Sequence, residues 1–182
     1  EFNQFIGHVK KLPARTGLSV LFWTGLRLGE LLALAPSDID LEAHTLTVRR
    51  TFQTIDGKEI ITEPKTPKSR RVVPLPEKLC EDIKAYMAAL YEPQPDDRLF
   101  PYTKHYFRQQ MLKGCQAAGM EPIRLHDLRH SHAALLIRLD TPILLVSERL
   151  GHEDIETTLR IYGHLYPSAN DETVKKLDDL MR

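Results

Sequence analysis

The chain has 182 residues, 42% of them hydrophobic and 27% charged, which is the make-up of one globular domain with a core of its own. No apolar run approaches membrane-spanning length and no signal peptide opens the chain, so the expected setting is the cytoplasm. Lys and Arg total 25 and Asp and Glu total 25, and this zero net charge excludes the overall basic surface usual in nucleic-acid binders.

The chain opens without an initiator methionine and already helical in pattern, as expected for the cut edge of a longer protein. Residues 2–12 predict a short helix, and 16–24 an apolar one beginning after Thr16. Gly25 interrupts it, a second helical run spans about Leu26 to Ala35, and Pro36-Ser37-Asp38 ends helical structure. Thr45 to Thr54 is β-branched and alternating, as is Lys58 to Glu63, with the turn signal Asp56-Gly57 between them. Arg71 to Leu75 predicts a third strand. Helices are then expected at about 77–91, 103–118, 126–139, 142–150, 154–164 and 170–181. Cys80 and Cys115 fall in no paired motif and fit ordinary helix positions in a reducing compartment.

Charge is unevenly spread. Arg49, Arg50, Lys58, Lys65, Lys68, Arg70 and Arg71 crowd one stretch against only Asp56, Glu59 and Glu63. Acidic residues gather near the C-terminus at Asp171, Glu172, Asp178 and Asp179. Arg49, Arg50, Lys68, Arg70 and Arg71 are therefore candidates for one local face that touches a nucleic-acid backbone.

Cleaving a phosphodiester without metal calls for fixed cations, a nucleophile and a proton donor. Arg27 shares a helical face with Leu31 and Leu34, so it points to the apolar side and needs a partner, for which Glu30 stands at i+3. That pair is either purely structural, or it orients the guanidinium to fork onto two phosphate oxygens. His126, Arg129 and His130 share a face at the start of a helix that continues through Ala133 and Ile137, with Leu128, Leu135 and Leu139 opposite. A helix apolar on both sides is buried, and its N-terminus is a natural anion site. His126 could instead cap the helix while Arg129 pairs with Asp127. The i, i+4 histidines also admit zinc, although the motif wants glutamate where Asp127 stands. Lys65, in a proline-bounded loop, is a solvated tip or an acid toward a leaving oxygen, with Lys68 its rival. His152 follows the helix stop Leu150-Gly151 and is either a capping donor or a phosphate donor. Tyr162 shares its face with Ile155 and Leu159, a pattern that suits a core tyrosine as well as a nucleophile.

Taken together, Thr24-Gly25-Leu26-Arg27-Leu28-Gly29-Glu30, the H-x-x-R box at His126 to Arg129, Leu150-Gly151-His152 and the frame around Tyr162 resemble the catalytic domain of the tyrosine recombinases, the phage-integrase type of DNA recombinase. The resemblance covers nearly the whole chain. It implies an α+β, mostly helical catalytic domain over residues 1–182 with one small three-stranded antiparallel sheet, the family's N-terminal DNA-binding domain being absent. Tyr162 would form a 3′-phosphotyrosyl link and release a 5′-hydroxyl. Arg27, Arg129 and His152 would hold the phosphate oxygens, His126 would accept or position the tyrosine proton, and Lys65 would protonate the leaving oxygen. Glu30 and Asp127 would support them. No metal or other cofactor is implied. The implied partners are double-stranded attachment-site DNA, three further copies in a tetramer, and an excisionase or DNA-bending proteins. The segment 165–182, with its stripe Thr173, Val174, Leu177, Leu180 and Met181, would dock on a neighbouring subunit or pack on its own domain. The wording resembles integrases of phages and conjugative transposons. A type IB topoisomerase and a non-catalytic DNA-binding module remain the alternatives.

Overall fold

The computed structural model describes residues 1–63, 67–166 and 170–181. Helix α1 spans Phe2–Gly7, and α2 (Leu12–Thr24) begins four residues before the expected start at 16 because Pro13 suits a first helical turn. Nearly all of α2 is buried, and it packs on the helices that follow, α4 (Glu77–Ala88), α5 (Lys104–Ala118) and α6 (Asp127–Arg138). Gly25 ends it at φ 70°, and a Cβ there would stand 2.7 Å from His132 Cδ2. Only glycine offers both that backbone and that closeness. The next helix, α3, is shorter than expected, Leu28–Ala33.

The predicted strand 45–54 is two strands. The three-stranded antiparallel sheet has the order β1 (Ile39–Asp40), β2 (Thr45–Val48), β5 (Arg71–Pro74), while β3 (Thr51–Ile55) and β4 (Lys58–Thr62) form a separate hairpin around Asp56-Gly57. The break falls at Arg49 and Arg50, whose guanidiniums both turn to the buried carboxylate of Asp38. That ion cluster, with the Ala35 N–H also donating to Asp38 at 2.9 Å, redirects the chain so that the hairpin lies on α3. Phe52 seals this contact beneath the Arg98 guanidinium, 4.0 Å from the ring centre.

The main core runs from Phe5 through α2 and α3 to Tyr86, Phe100, Phe107 and Leu128. A satellite core joins Ala133 and Ile137 of α6, Val146 and Leu150 of α7 (Ile143–Leu150) and Tyr162 of α8 (Ile155–Tyr162). Helix α6 is thus buried on two sides, as its pattern implied, except that Leu139 lies beyond its end and is 66% exposed. Helix α9 (Asn170–Leu180) carries Val174, Leu177 and Leu180, and these are exposed together with Met181; the Thr173 side chain lies outside the described set. Among the described residues no helix is long and apolar enough to cross a membrane.

Two histidines make this fold sensitive to acid. His132 is buried, with Arg149 Nε donating to its Nε2 at 3.0 Å; burial and the charges of Arg149 and Arg129 push its pKa down to about 3. His152 is pushed down to about 4 by burial and by the charges of Arg129, Arg27 and Arg71. Both stay neutral in the folded protein while the unfolded chain takes up protons near the ordinary value of 6.5. Their stabilisation is therefore complete above that pH and is lost as pH falls toward 4 and 3. Urea unfolding is expected to show a stability loss of roughly 2 kcal/mol between pH 7 and 5 from His132 alone. His132→Asn should flatten that slope.

Candidate active site

Three helix ends meet where α6 begins, and arginines join them. Arg129 is 3% exposed; its Nη1 donates to the Gly25 carbonyl at the end of α2 and its Nη2 to the Leu150 carbonyl at the end of α7, 2.8 Å away. Arg71 Nε donates to the Arg149 carbonyl at 2.8 Å, and Arg149 Nη2 to the Trp23 carbonyl at 3.1 Å. The last carbonyls of a helix lack partners and carry partial negative charge, so they suit guanidiniums. Those contacts fix the arginines without neutralising them.

Among the described residues one carboxylate, Glu30, is bonded to this group. It accepts from Arg71 Nη1 at 3.1 Å and Nη2 at 2.9 Å, from Arg27 Nη1 at 3.1 Å, and from the Arg27 backbone N–H at 2.8 Å. The last bond is half of a capping box that sets the start of α3. Burial alone would raise the Glu30 pKa; the Arg71 hydrogen bond and charge, with those of Arg27, hold it below the usual 4.5. Its stabilisation is therefore complete above that pH and fades as pH falls below it. Glu30→Ala is expected to cost about 3–5 kcal/mol in thermal or urea unfolding by leaving buried cations unpaired. Glu30→Gln should recover part of this, because its amide oxygen still accepts.

The balance stays positive. Burial, then the charges of Arg27 and Arg71, push Arg129 down to about 9, while Glu30 and Tyr162 act the other way. Arg27 closes the group on the solvent side, its side chain 42% exposed. Such a cluster is built for an anion.

Tyr162 ends α8 with its ring only 4% exposed in the satellite core and its phenol oxygen 2.7 Å from His130 Nδ1. Burial raises its pKa, and the charge of Arg129 partly offsets this. His126 stands next to His130, ring centres 4.8 Å apart and edge to face, and opens to solvent. Burial and the charges of His130 and Arg129 lower its pKa. The imidazole on the phenol is therefore His130, whereas the sequence pointed to His126. The i, i+4 spacing shows both rings on one face, but which ring meets the tyrosine depends on where α8 docks. His152 reaches the group from the α7–α8 junction, its Nδ1 2.8 Å from the Thr158 hydroxyl. Asp127 is held by Arg124, Nη2 to Oδ1 at 2.9 Å.

The structure thus gathers Arg27, His126, Arg129, His152 and Tyr162 around one point, with Glu30 behind them. Lys65 lies outside the described residues. Lys68 donates to the Glu153 carbonyl at 2.6 Å, which ties its loop to the segment bearing His152. The described arginines of the basic stretch do not all face outward. Arg49 and Arg50 serve Asp38, Arg71 is buried on Glu30 with its side chain 6% exposed, and Arg70 alone of the four arginines stays largely outward. A groove of about 630 Å³, foreseen by no local pattern, flanks His126; its lining is largely apolar, with Lys104, Arg108 and Arg124 as its basic side chains.

Residues 1–169 match the phage integrase family. The chain belongs to that family. It is 37% identical to the ICEBs1 integrase of Bacillus subtilis over 196 aligned positions, covering 100% of this chain and 53% of that protein. The chain spans about half the length of the curated relatives it matches. Its fold is that of solved integrases. The Tn1549 transposon integrase in complex with a circular intermediate DNA superposes with a TM-score of 0.82 at 18% identity, covering 100% of this chain and 64% of that one. The catalytic domain of bacteriophage HP1 integrase does so with 0.61 at 24% identity, covering 93% of this chain and 90% of that one. In this integrase-family chain the described cationic residues of the motifs lie in one place, and no described group of three or more His, Cys, Asp and Glu has the disposition to hold a metal ion.

Proposed function

We propose that this chain is the catalytic domain of a site-specific integrase that cuts and rejoins DNA through a covalent link to Tyr162. The observation that carries this is a phenol paired with an imidazole beside arginines whose positive charge is not balanced. That arrangement suits a phosphate whose charge grows as it is attacked. Arg27 and Arg129 bind the non-bridging oxygens. His152 joins them through its Nε2, which carries the proton it offers in the tautomer whose Nδ1 accepts from the Thr158 hydroxyl. His126 lines the open side of the same pocket. Lys65 donates a proton to the departing 5′ oxygen, and Asp127 supports the start of α6 through Arg124. The outward Arg70 and Lys68, with Lys104 and Arg108 of the groove, track the flanking backbone; Arg49, Arg50 and Arg71 hold the scaffold that presents it. The likeness to proteins named integrases, and to one captured on a circular intermediate DNA, favours strand exchange over topoisomerase-type resealing or mere binding.

The working assembly is a tetramer on two attachment sites. Helix α9 docks on a neighbouring copy, a reading supported by Val174, Leu177, Leu180 and Met181 being 53–85% exposed. Excisionase or DNA-bending proteins set the direction. The test is to trap the adduct on a nicked suicide duplex, digest it, and map the nucleotide-bearing peptide by mass spectrometry. A nucleotide localised to Tyr162, and not to Tyr166, within the tryptic peptide 161–175 supports the reading. Attachment elsewhere, or no adduct with any duplex, overturns it.

A further inference from the structure

Resting on the integrase reading, we infer that His130 is the base of the cleavage step. Its Nδ1 takes the phenol proton as Tyr162 attacks phosphorus and returns it when the strand is rejoined. The geometry is direct, 2.7 Å between Nδ1 and the phenol oxygen. The other two imidazoles are engaged or turned elsewhere. His152 Nδ1 is on the Thr158 hydroxyl, and His126 packs its ring on His130 and opens onto the neighbouring groove. The phenol also needs a base, since burial in the satellite core disfavours a free phenolate and Arg129 offsets this only in part. Asp127, one turn back on α6 and bonded to Arg124, feels the charge of His130. The other charged or titratable groups facing His130 are His126 beside it and His152 and Tyr162 from the neighbouring elements.

The step balances. The bond from Tyr162 Oη to phosphorus forms and the bond from phosphorus to O5′ breaks. The phenol proton passes to His130 Nδ1, which enters neutral with its proton on Nε2 and leaves as imidazolium. The 5′ oxygen takes its proton from a separate acid, assigned above to Lys65. Religation runs the same transfers in reverse. His126 is then released from proton transfer to serve the phosphate.

The probe is a pool of nicked duplexes with a randomised core, from which the sequence captured by the unsubstituted chain is carried forward. His130→Ala is expected to slow adduct formation by about 10²-fold or more while filter retention of the duplex and the melting temperature stay close to those of the unsubstituted chain. His130→Gln, which still hydrogen-bonds the phenol without being a base, should be as slow. A duplex with bridging sulfur in place of O5′ needs no acid, so it should restore Lys65→Ala and leave His130→Ala slow. Free imidazole should restore part of the His130→Ala rate. Adduct formation by either His130 variant within about threefold of the original, or rescue by the bridging sulfur, overturns the assignment while leaving the integrase reading intact. Failure of the unsubstituted chain to capture any duplex removes that reading, and this proposal with it.

Discussion

Tyr162→Phe is expected to abolish the covalent DNA adduct and leave the protein folded. The ring packs among Ala133, Ile137, Val146 and Leu150, and phenylalanine keeps every one of those contacts. What disappears is one hydroxyl and its bond to His130 Nδ1. A hydrogen bond of this kind contributes about 0.5–1.5 kcal/mol net, and the half-buried His130 can turn to water, so the melting temperature should move by only a few degrees. Cleavage, in contrast, should fall below detection on a denaturing gel, because phenylalanine offers no oxygen to attack phosphorus. DNA retention should survive, since the arginines are untouched. An adduct that persists at a comparable rate would mean that another side chain is the nucleophile.

Arg129→Ala combines a loss of rate with a loss of stability. Among the described residues the guanidinium has no carboxylate hydrogen-bonded to it and instead joins the ends of α2 and α7 through the Gly25 and Leu150 carbonyls. Truncation strands two buried acceptors, at about 1–3 kcal/mol each. Relief of positive charge crowded with Arg27 and Arg71 works the other way. The carbonyl losses should win, leaving a net destabilisation of about 2–4 kcal/mol. Removing one preorganised donor from a developing anion costs about 10²–10³ in rate. Arg129→Lys separates the two effects: it keeps the charge but cannot fork across both helix ends. Its expected behaviour is a melting temperature between those of the parent and Arg129→Ala, with single-turnover cleavage still reduced by more than tenfold. Undiminished cleavage in Arg129→Lys would take the planar fork out of the mechanism.

Much of the site could be read locally. Arg27 and Glu30 are the N-cap and third residue of α3, so their pairing and the capping bond from the Arg27 N–H to Glu30 are one local i, i+3 relation. The hairpin at Asp56-Gly57 was equally visible, because both residues take positive φ and no long-range contact is needed to specify that. The limits show at Arg49 and Arg50. Their alternation with Thr47 and Thr51 continues a strand, yet the chain turns there because the buried Asp38, eleven and twelve residues away, draws both guanidiniums. Arg71 is a similar case. Arg70 just before it is outward, while its own side chain is buried on Glu30 and the end of α7.

The polypeptide's own order of residues determined where most helices fall, the hairpin at Asp56-Gly57, the family, and the identity of the groups able to act on a phosphate. The local elements depend on spacing within a turn or two of chain, and the family on the order of motifs from Thr24 to Tyr162. Only the packed molecule decided which imidazole holds the Tyr162 oxygen, which arginines face outward, and where the positive charge goes unanswered. The reason is that these outcomes turn on where α7 and α8 settle against α6, a balance of burial and ion pairing among residues up to about a hundred positions apart, as with Arg129 and the Gly25 carbonyl.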